Sequence, residues 1–205
     1  MLSGEFIVEP SRRERSRRVR EALLEAALSR FAASGYDATT VEDVARDAGI
    51  AAGGFYTHFR SKRQVLLILL DRLLTELEPF PSSVPDDEVA ALFACIRRRF
   101  TRTWRYAGVY RAWREAALRD PTLTEVQSSI EAWATMRSAA ALNVVSKTPG
   151  ARRDVDVPTL SYMLSAIFLR LLESNSGDRA ALADTVVTML VHALFEDEAA
   201  VIREG

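Results

Sequence analysis

Apolar residues recur at three- and four-residue intervals along nearly the whole chain, which is the spacing of one face of an α-helix. Val19, Leu23, Ala26, Ala27 and Phe31 predict a first helix that begins near Arg12–Ser16, runs to Ser34 and ends at Gly35. Val41, Val44, Ala45 and Ala48 predict a short second helix. Thr39 or Thr40 would cap it, with Glu42 or Asp43 completing a capping box, and Gly49 would end it. A third, from about Ala51 to Phe59, turns Phe55 and Phe59 inward and Ala52, Gly53, Tyr56 and Thr57 outward, with Gly54 and His58 at the edges. Ser61 and Gln64 open a fourth that is apolar over most of its circumference through Val65, Leu66, Leu69, Leu70, Leu73 and Leu77.

The segment EPFPSSVP, Glu78 to Pro85, cannot be helical. Helical spacing then resumes from about Asp86 to Arg105 and from Val109 to Leu118. Asp120-Pro121 starts a long helix that stops near Lys147, since Asp caps well and Pro suits the first helical position. After a loop at Thr148–Val155, two more helices run from about Asp156 to Ser174 and from Asp178 to Phe195. No stretch alternates with period two. The expected fold is all-α, divided into a disordered tail (1–11), a helix-turn-helix unit (12–60), a connector helix (61–78), a linker (79–85) and a C-terminal helical domain (86–205).

The composition, 48% hydrophobic and 27% charged with net charge −1, is that of a globular protein and not of a uniformly basic nucleic-acid coat. Charge is concentrated locally: Ser11 to Arg20 reads SRRERSRRVR, six Arg against one Glu. Beside a helix-turn-helix such an arm is a footprint for phosphate contact; alone it is also what a solvated terminus looks like. The one cysteine, Cys95, excludes an internal disulfide and a cysteine metal cluster within one chain. No apolar run is long enough to span a membrane, and the start lacks the order of a signal peptide, so a cytoplasmic protein is expected. No catalytic constellation, metal motif or cofactor loop is present, and no enzyme is expected; His58 and His192 fall in different domains.

Two short helices joined by a glycine turn fit a helix-turn-helix, whose second helix enters the DNA major groove. Phe31, Gly35, Tyr36, Thr39-Thr40-Val41, Val44-Ala45, Ala48-Gly49-Ile50, Gly54-Phe55-Tyr56, His58-Phe59 and Ser61-Lys62, in this order, resemble the amino-terminal domain of the TetR family of bacterial transcriptional repressors. The resemblance covers about residues 15–75 by motif and the remainder by helix order. It implies operator DNA as a partner, with Thr39, Thr40, Ala52, Gly53, Gly54, Tyr56, Thr57, His58 and Lys62 as candidate contacts. Members often carry polar side chains where this chain has Ala51, Ala52 and Gly54. Readout would therefore lean on Tyr56, Thr57 and His58, alanine contacts to thymine methyls, and close backbone approach at the glycines. Lys62, misplaced against the dipole in the first turn of its helix, suggests a phosphate partner.

Aromatic and methionine side chains gather in the second half, a pattern shared by plain cores and ligand boxes. The resemblance implies a small effector bound among them, with Phe100, Trp104, Tyr110, Trp113, Trp133, Met136, Met163 and Phe168 as candidate walls. Arg98, Arg102 and Arg105 share a helical face that is either solvated or turned toward an acidic effector. The last two helices would pair, Leu160, Leu164, Ile167, Phe168 and Leu171 against Leu182, Val186, Met189, Leu190 and Leu194, and form a homodimer interface; the alternative is packing within the chain against helix five. The function expected is a repressor released from a palindromic operator by a mostly apolar effector. The alternative is an activator or chromosome-organising protein on the same fold without an effector.

Overall fold

The computed structural model describes residues 11–76, 89–148, 150–174 and 178–195. Nine α-helices occur among them: α1 Arg12–Ser34, α2 Val41–Asp47, α3 Ala52–Phe55, α4 Lys62–Glu76, α5 Val89–Thr103, α6 Ala107–Ala117, α7 Pro121–Val145, α8 Val157–Glu173 and α9 Arg179–Leu194. A 3₁₀ turn, Trp104–Tyr106, separates α5 from α6. The only extended pairing among the described residues is a single bridge between Ala151 and Phe195. The all-α expectation holds. Residues 1–10, the linker 79–85, the start of the fifth helix and the side chain of Cys95 lie outside what is described.

The helix ends obey the local chemistry. Ser11 belongs to α1 as its cap and not to the tail: its Oγ accepts from Glu14 N–H at 3.2 Å, and Glu14 accepts in return from Ser11 N–H at 2.7 Å. Of the two candidate threonines, Thr40 caps α2, in a box with Asp43. Ser61 accepts from Gln64 N–H at 3.1 Å, but the Gln64 amide oxygen accepts from Arg60 N–H instead of Ser61 N–H. Asp120, Asp156 and Asp178 cap α7, α8 and α9.

The expected third helix is shortened to four residues. Ala51 has no side-chain oxygen to cap it, and Gly53 and Gly54 each weaken a helix by roughly 1 kcal/mol relative to alanine. The chain continues as a hydrogen-bonded turn in which Thr57 N–H donates to Gly54 O, and His58 and Phe59 N–H donate to Phe55 O. The fifth helix stops at Thr103, not Arg105, because residues 104–106 tighten into the 3₁₀ turn.

α1, α2 and the Phe55/Phe59 pair close a small core over α4; Leu23, Leu24, Phe31, Val44, Phe55, Phe59, Val65 and Leu66 are all at most 2% exposed. Burying each large side chain contributes about 1.5–3 kcal/mol. α4 packs on α1 at one side and on α5 and α6 at the other, which explains its apolar circumference. In the remainder, α8 lies along α7 and also touches α6, while α9 lies along α5. Val186, Leu190 and Leu194 of α9 are buried within the chain, and the Phe93 and Phe195 rings meet edge to face at 5.9 Å. The expected pairing of α8 with α9 is corrected at these three residues, whose apolar face is already used on α5.

Candidate nucleic-acid interface

The headpiece, formed by α1, α2 and α3, turns one face of α3 and the turn after it to solvent. Phe55 and Phe59, with rings 5.6 Å apart, anchor α3 and the following turn from beneath. Ala52, Gly53, Tyr56 and Thr57 are exposed, Tyr56 to 59%, and His58 is half-buried. An added Cβ at Gly53 would meet nothing within 4 Å, whereas one at Gly54 would lie 3.2 Å from Ile50 Cδ1. Gly54 thus has a packing reason inside the chain, and Gly53 is open to an outside body. Arg12, Arg13, Arg15, Arg17 and Arg18 are exposed on the first turns of α1, a capped helix and not a frayed end. Arg20 lies over the Phe59 ring at 4.5 Å.

Two candidate contacts face elsewhere. Thr39 is 1% exposed and donates to Gly35 O at 2.7 Å, so its hydroxyl closes the α1–α2 turn and does not face outward. Lys62 directs Nζ to Tyr36 O at 2.6 Å and Thr39 O at 2.7 Å, with the ammonium 4.1 Å from the Tyr36 ring centroid. Its misfit with the helix dipole is resolved by these carbonyls, without a phosphate. Burial pulls this ammonium below its usual range, with Glu115 opposing in part. Thr40 is exposed, but its hydroxyl donates to Asp43 at 2.7 Å while capping α2. Arg30 holds α2 to α1 through a two-pronged pair with Asp47, at 2.5 and 2.8 Å.

The candidate effector residues divide. Phe100, Trp104, Tyr110 and Trp113 are buried. Phe100 meets Trp104 at 4.9 Å and Phe168 at 5.2 Å, and Tyr110 meets Trp113 at 5.5 Å. Burial pushes the Tyr110 phenol up to about 12, so it stays protonated and neutral at physiological pH. Trp113 is 0% exposed and its indole N–H has no hydrogen-bond partner among the described residues. Trp133 is half-buried under Arg137, 5.6 Å from its ring centroid. Met136 and Met163, 60% and 52% exposed, lie on the outer surface and do not wall an interior site. Arg98 and Arg102 are exposed, and Arg105 pairs with Glu25 on α1, so the arginine face turns outward. His192 is exposed, its Nδ1–H donating to Thr188 O at 2.7 Å.

Among the described residues no cluster of His, Cys, Asp or Glu could hold a metal ion, and no helix is long and apolar enough to cross a membrane. Glu115 was missed in the sequence, where carboxylates looked scattered over helix exteriors. It binds two backbone N–H groups of the headpiece, and no local pattern signals a contact across 78 or 79 residues.

Comparison with known proteins bears on the whole arrangement. The family model for bacterial regulatory proteins of the tetR family matches residues 23–68. The HTH-type transcriptional regulator EthR of Mycolicibacterium smegmatis is 31% identical over 150 residues, covering 71% of this chain and 66% of EthR. The chain belongs to the TetR family. The HTH-type transcriptional repressor KstR2 of the same organism is 49% identical over 47 residues, 23% of each chain. The first curated relatives are matched over only 17% to 23% of their own length. Among solved structures, SmeT in complex with triclosan superposes with a TM-score of 0.66 at 26% identity, covering 88% of this chain and 93% of SmeT. SmeT, described as the repressor of the Stenotrophomonas maltophilia multidrug efflux pump SmeDEF, gives 0.61 at 27% identity, covering 87% and 91%.

Proposed function

We propose that this TetR-family chain is a cytoplasmic, homodimeric transcriptional repressor, released from a palindromic operator by a small, mostly apolar effector. The observation that carries the reading is the outward face of α3 and its turn: Ala52, Gly53, Tyr56 and Thr57 are exposed, and the first turns of α1 carry five exposed arginines. Arginines supply sequence-independent phosphate affinity, and the alanine, tyrosine and threonine supply apolar and hydrogen-bonding contacts to base edges. A second copy is needed because a helix-turn-helix dimer reads two half-sites roughly 34 Å apart or a multiple of that spacing. The exposed apolar residues Tyr162, Met163 and Ile167 on α8 and Met189 on α9 suit that contact.

The effector would lie among α5 to α8, against Phe100, Trp104, Tyr110, Trp113 and Phe168. The Trp113 N–H, which has no partner among the described residues, favours a molecule that carries a hydrogen-bond acceptor, since a buried donor without a partner costs about 1–3 kcal/mol. Binding of an aromatic compound by SmeT makes triclosan the first probe. The test selects a duplex from a randomised DNA library with the purified chain, then titrates triclosan and related aryl compounds against the complex. Recovery of a palindrome whose binding weakens with a compound that also shifts tryptophan emission is the expected result. A compound that binds without changing DNA affinity would favour the effector-independent regulator, and failure to enrich any sequence would reject DNA readout.

A further inference from the structure

α6 turns opposite faces to the two halves of the molecule. At 100° per residue, Gly108, Ala112 and Glu115 share one face, and Tyr110 and Trp113 point the other way. On the first face Gly108 lies against Ala32 of α1 so closely that a Cβ would collide with the Ala32 backbone. Two turns later the Glu115 carboxylate reaches the α1–α2 turn, accepting from Tyr36 N–H at 2.8 Å and from Asp37 N–H at 3.1 Å. It occupies the space a side chain at residue 35 would need, and Gly35, at φ +78°, leaves that space empty.

The same turn is held from its other side. Lys62 of α4 donates to the carbonyls of Tyr36 and Thr39. A carboxylate therefore accepts from the N–H groups of residues 36 and 37, and an ammonium donates to the carbonyls of 36 and 39. Charged groups make roughly twice the hydrogen-bond strength of neutral ones, so the turn is fixed firmly between α6 and α4. Arg119 pairs with Asp37, and Arg63 of α4 reaches Asp120 at 2.9 Å and Thr122 Oγ1 at 2.7 Å, which fastens the α6–α7 corner to the headpiece. Residue 39 leads directly into α2, and α2 carries α3.

We propose that Glu115 is the positioning residue of the reading head: its carboxylate, opposed by Lys62 across the 35–39 turn, sets the angle at which α2 and α3 are offered to DNA. The inference rests on the reading of the headpiece as a DNA-binding unit, and the experiment separates the two.

Full-length wild type, Glu115→Gln and a control, Glu131→Gln, whose site is an exposed contact with Gln127 on α7, are compared on the duplex that wild type selects from a randomised library. In Glu115→Gln one carboxylate oxygen becomes an NH₂ that faces a backbone N–H, so one of the two bonds is lost. Affinity for the selected duplex should fall by about 10-fold, within the usual range of coupling between sites. The control should bind as wild type. Tolerance to half-site spacing is the readout that a merely structural role would not move. Wild type should weaken sharply when one or two base pairs are inserted between half-sites, and Glu115→Gln should weaken much less. Hydrogen exchange at the Tyr36 and Asp37 amides should accelerate in the variant while α7 to α9 stay protected. Unchanged affinity, spacing tolerance and exchange at these two amides would overturn the proposal. If wild type selects no sequence, DNA readout itself fails, and unchanged exchange at residues 36 and 37 would still refute the joint.

Discussion

α3 and α6 both carry glycine and both sit where one body meets another, yet their glycines do opposite things. Gly53 in α3 has open space around its Cα, and Gly108 in α6 is pressed onto the backbone of Ala32. α3 lasts four residues and is fixed only from below, whereas α6 lasts eleven and buries seven of them. An exposed glycine leaves room for a partner outside the chain; a buried one records a partner already inside it. In a sequence the two look alike.

The difference can be broken by substitution. Phe55→Ala should have the largest effect, about 3–5 kcal/mol in chemical denaturation, because it removes the ring that anchors α3 from beneath. Next come two charge insertions of different consequence. Leu190→Arg, at a side chain 4% exposed on the helix that packs against α5, should destabilise the fold by about 3 kcal/mol as a buried charge without a partner, while Ile167→Arg, at one 38% exposed, should leave a folded chain that sediments as a monomer. If Leu190→Arg instead yields a stable monomer, the packing of α9 on α5 is wrong.

The glycine pair is the direct test. Gly108→Ala should destabilise by about 1–3 kcal/mol through overpacking against backbone. Gly53→Ala should stabilise by up to about 1 kcal/mol, since the same methyl enters open space and favours the helix. Equal melting shifts of the same sign would erase the contrast. Tyr56→Ala should change stability by less than about 0.5 kcal/mol while weakening the selected duplex.

The smallest effect concerns acid. Hydrogen bonds from Arg30 hold the Asp47 carboxyl below its ordinary range, so its folded value lies under the unfolded one of about 3.9. Its stabilisation is full above that unfolded value and is lost as pH falls through the lowered folded value. The stability gap between wild type and Asp47→Asn should therefore close as pH drops below about 4, and a constant gap in acid titrations would count against the pair.

Helix order was legible because caps and periodicity are local: Thr40 with Asp43, Asp120 before Pro121 and Asp178 all end or begin helices where their side chains dictate. The length of α3 was misread because the Phe55–Phe59 spacing looks helical even though the two glycines and the uncapped Ala51 favour a turn. Which α9 face meets α5 was not legible either, since an apolar stripe does not name its partner. At the site, exposure of Tyr56 followed from the inward positions of Phe55 and Phe59. Lys62 was misassigned for a different reason: its partners are carbonyls 23 and 26 residues away, and sequence spacing shows nothing of backbone acceptors brought near by folding.

The close contact of Gly108 with Ala32 makes α6 a lever with a short arm. From residue 108 to 115 the helix axis advances about 10.5 Å at 1.5 Å per residue. A tilt of about 5° around that contact would carry Glu115 by about 0.9 Å. A bond of 2.8 Å to Tyr36 N–H would stretch toward about 3.7 Å and cease to be a hydrogen bond. Rotation too slight to register as a change of fold would thus be enough to release the 35–39 turn from α6 at this bond, leaving it held by Lys62 from the side of α4.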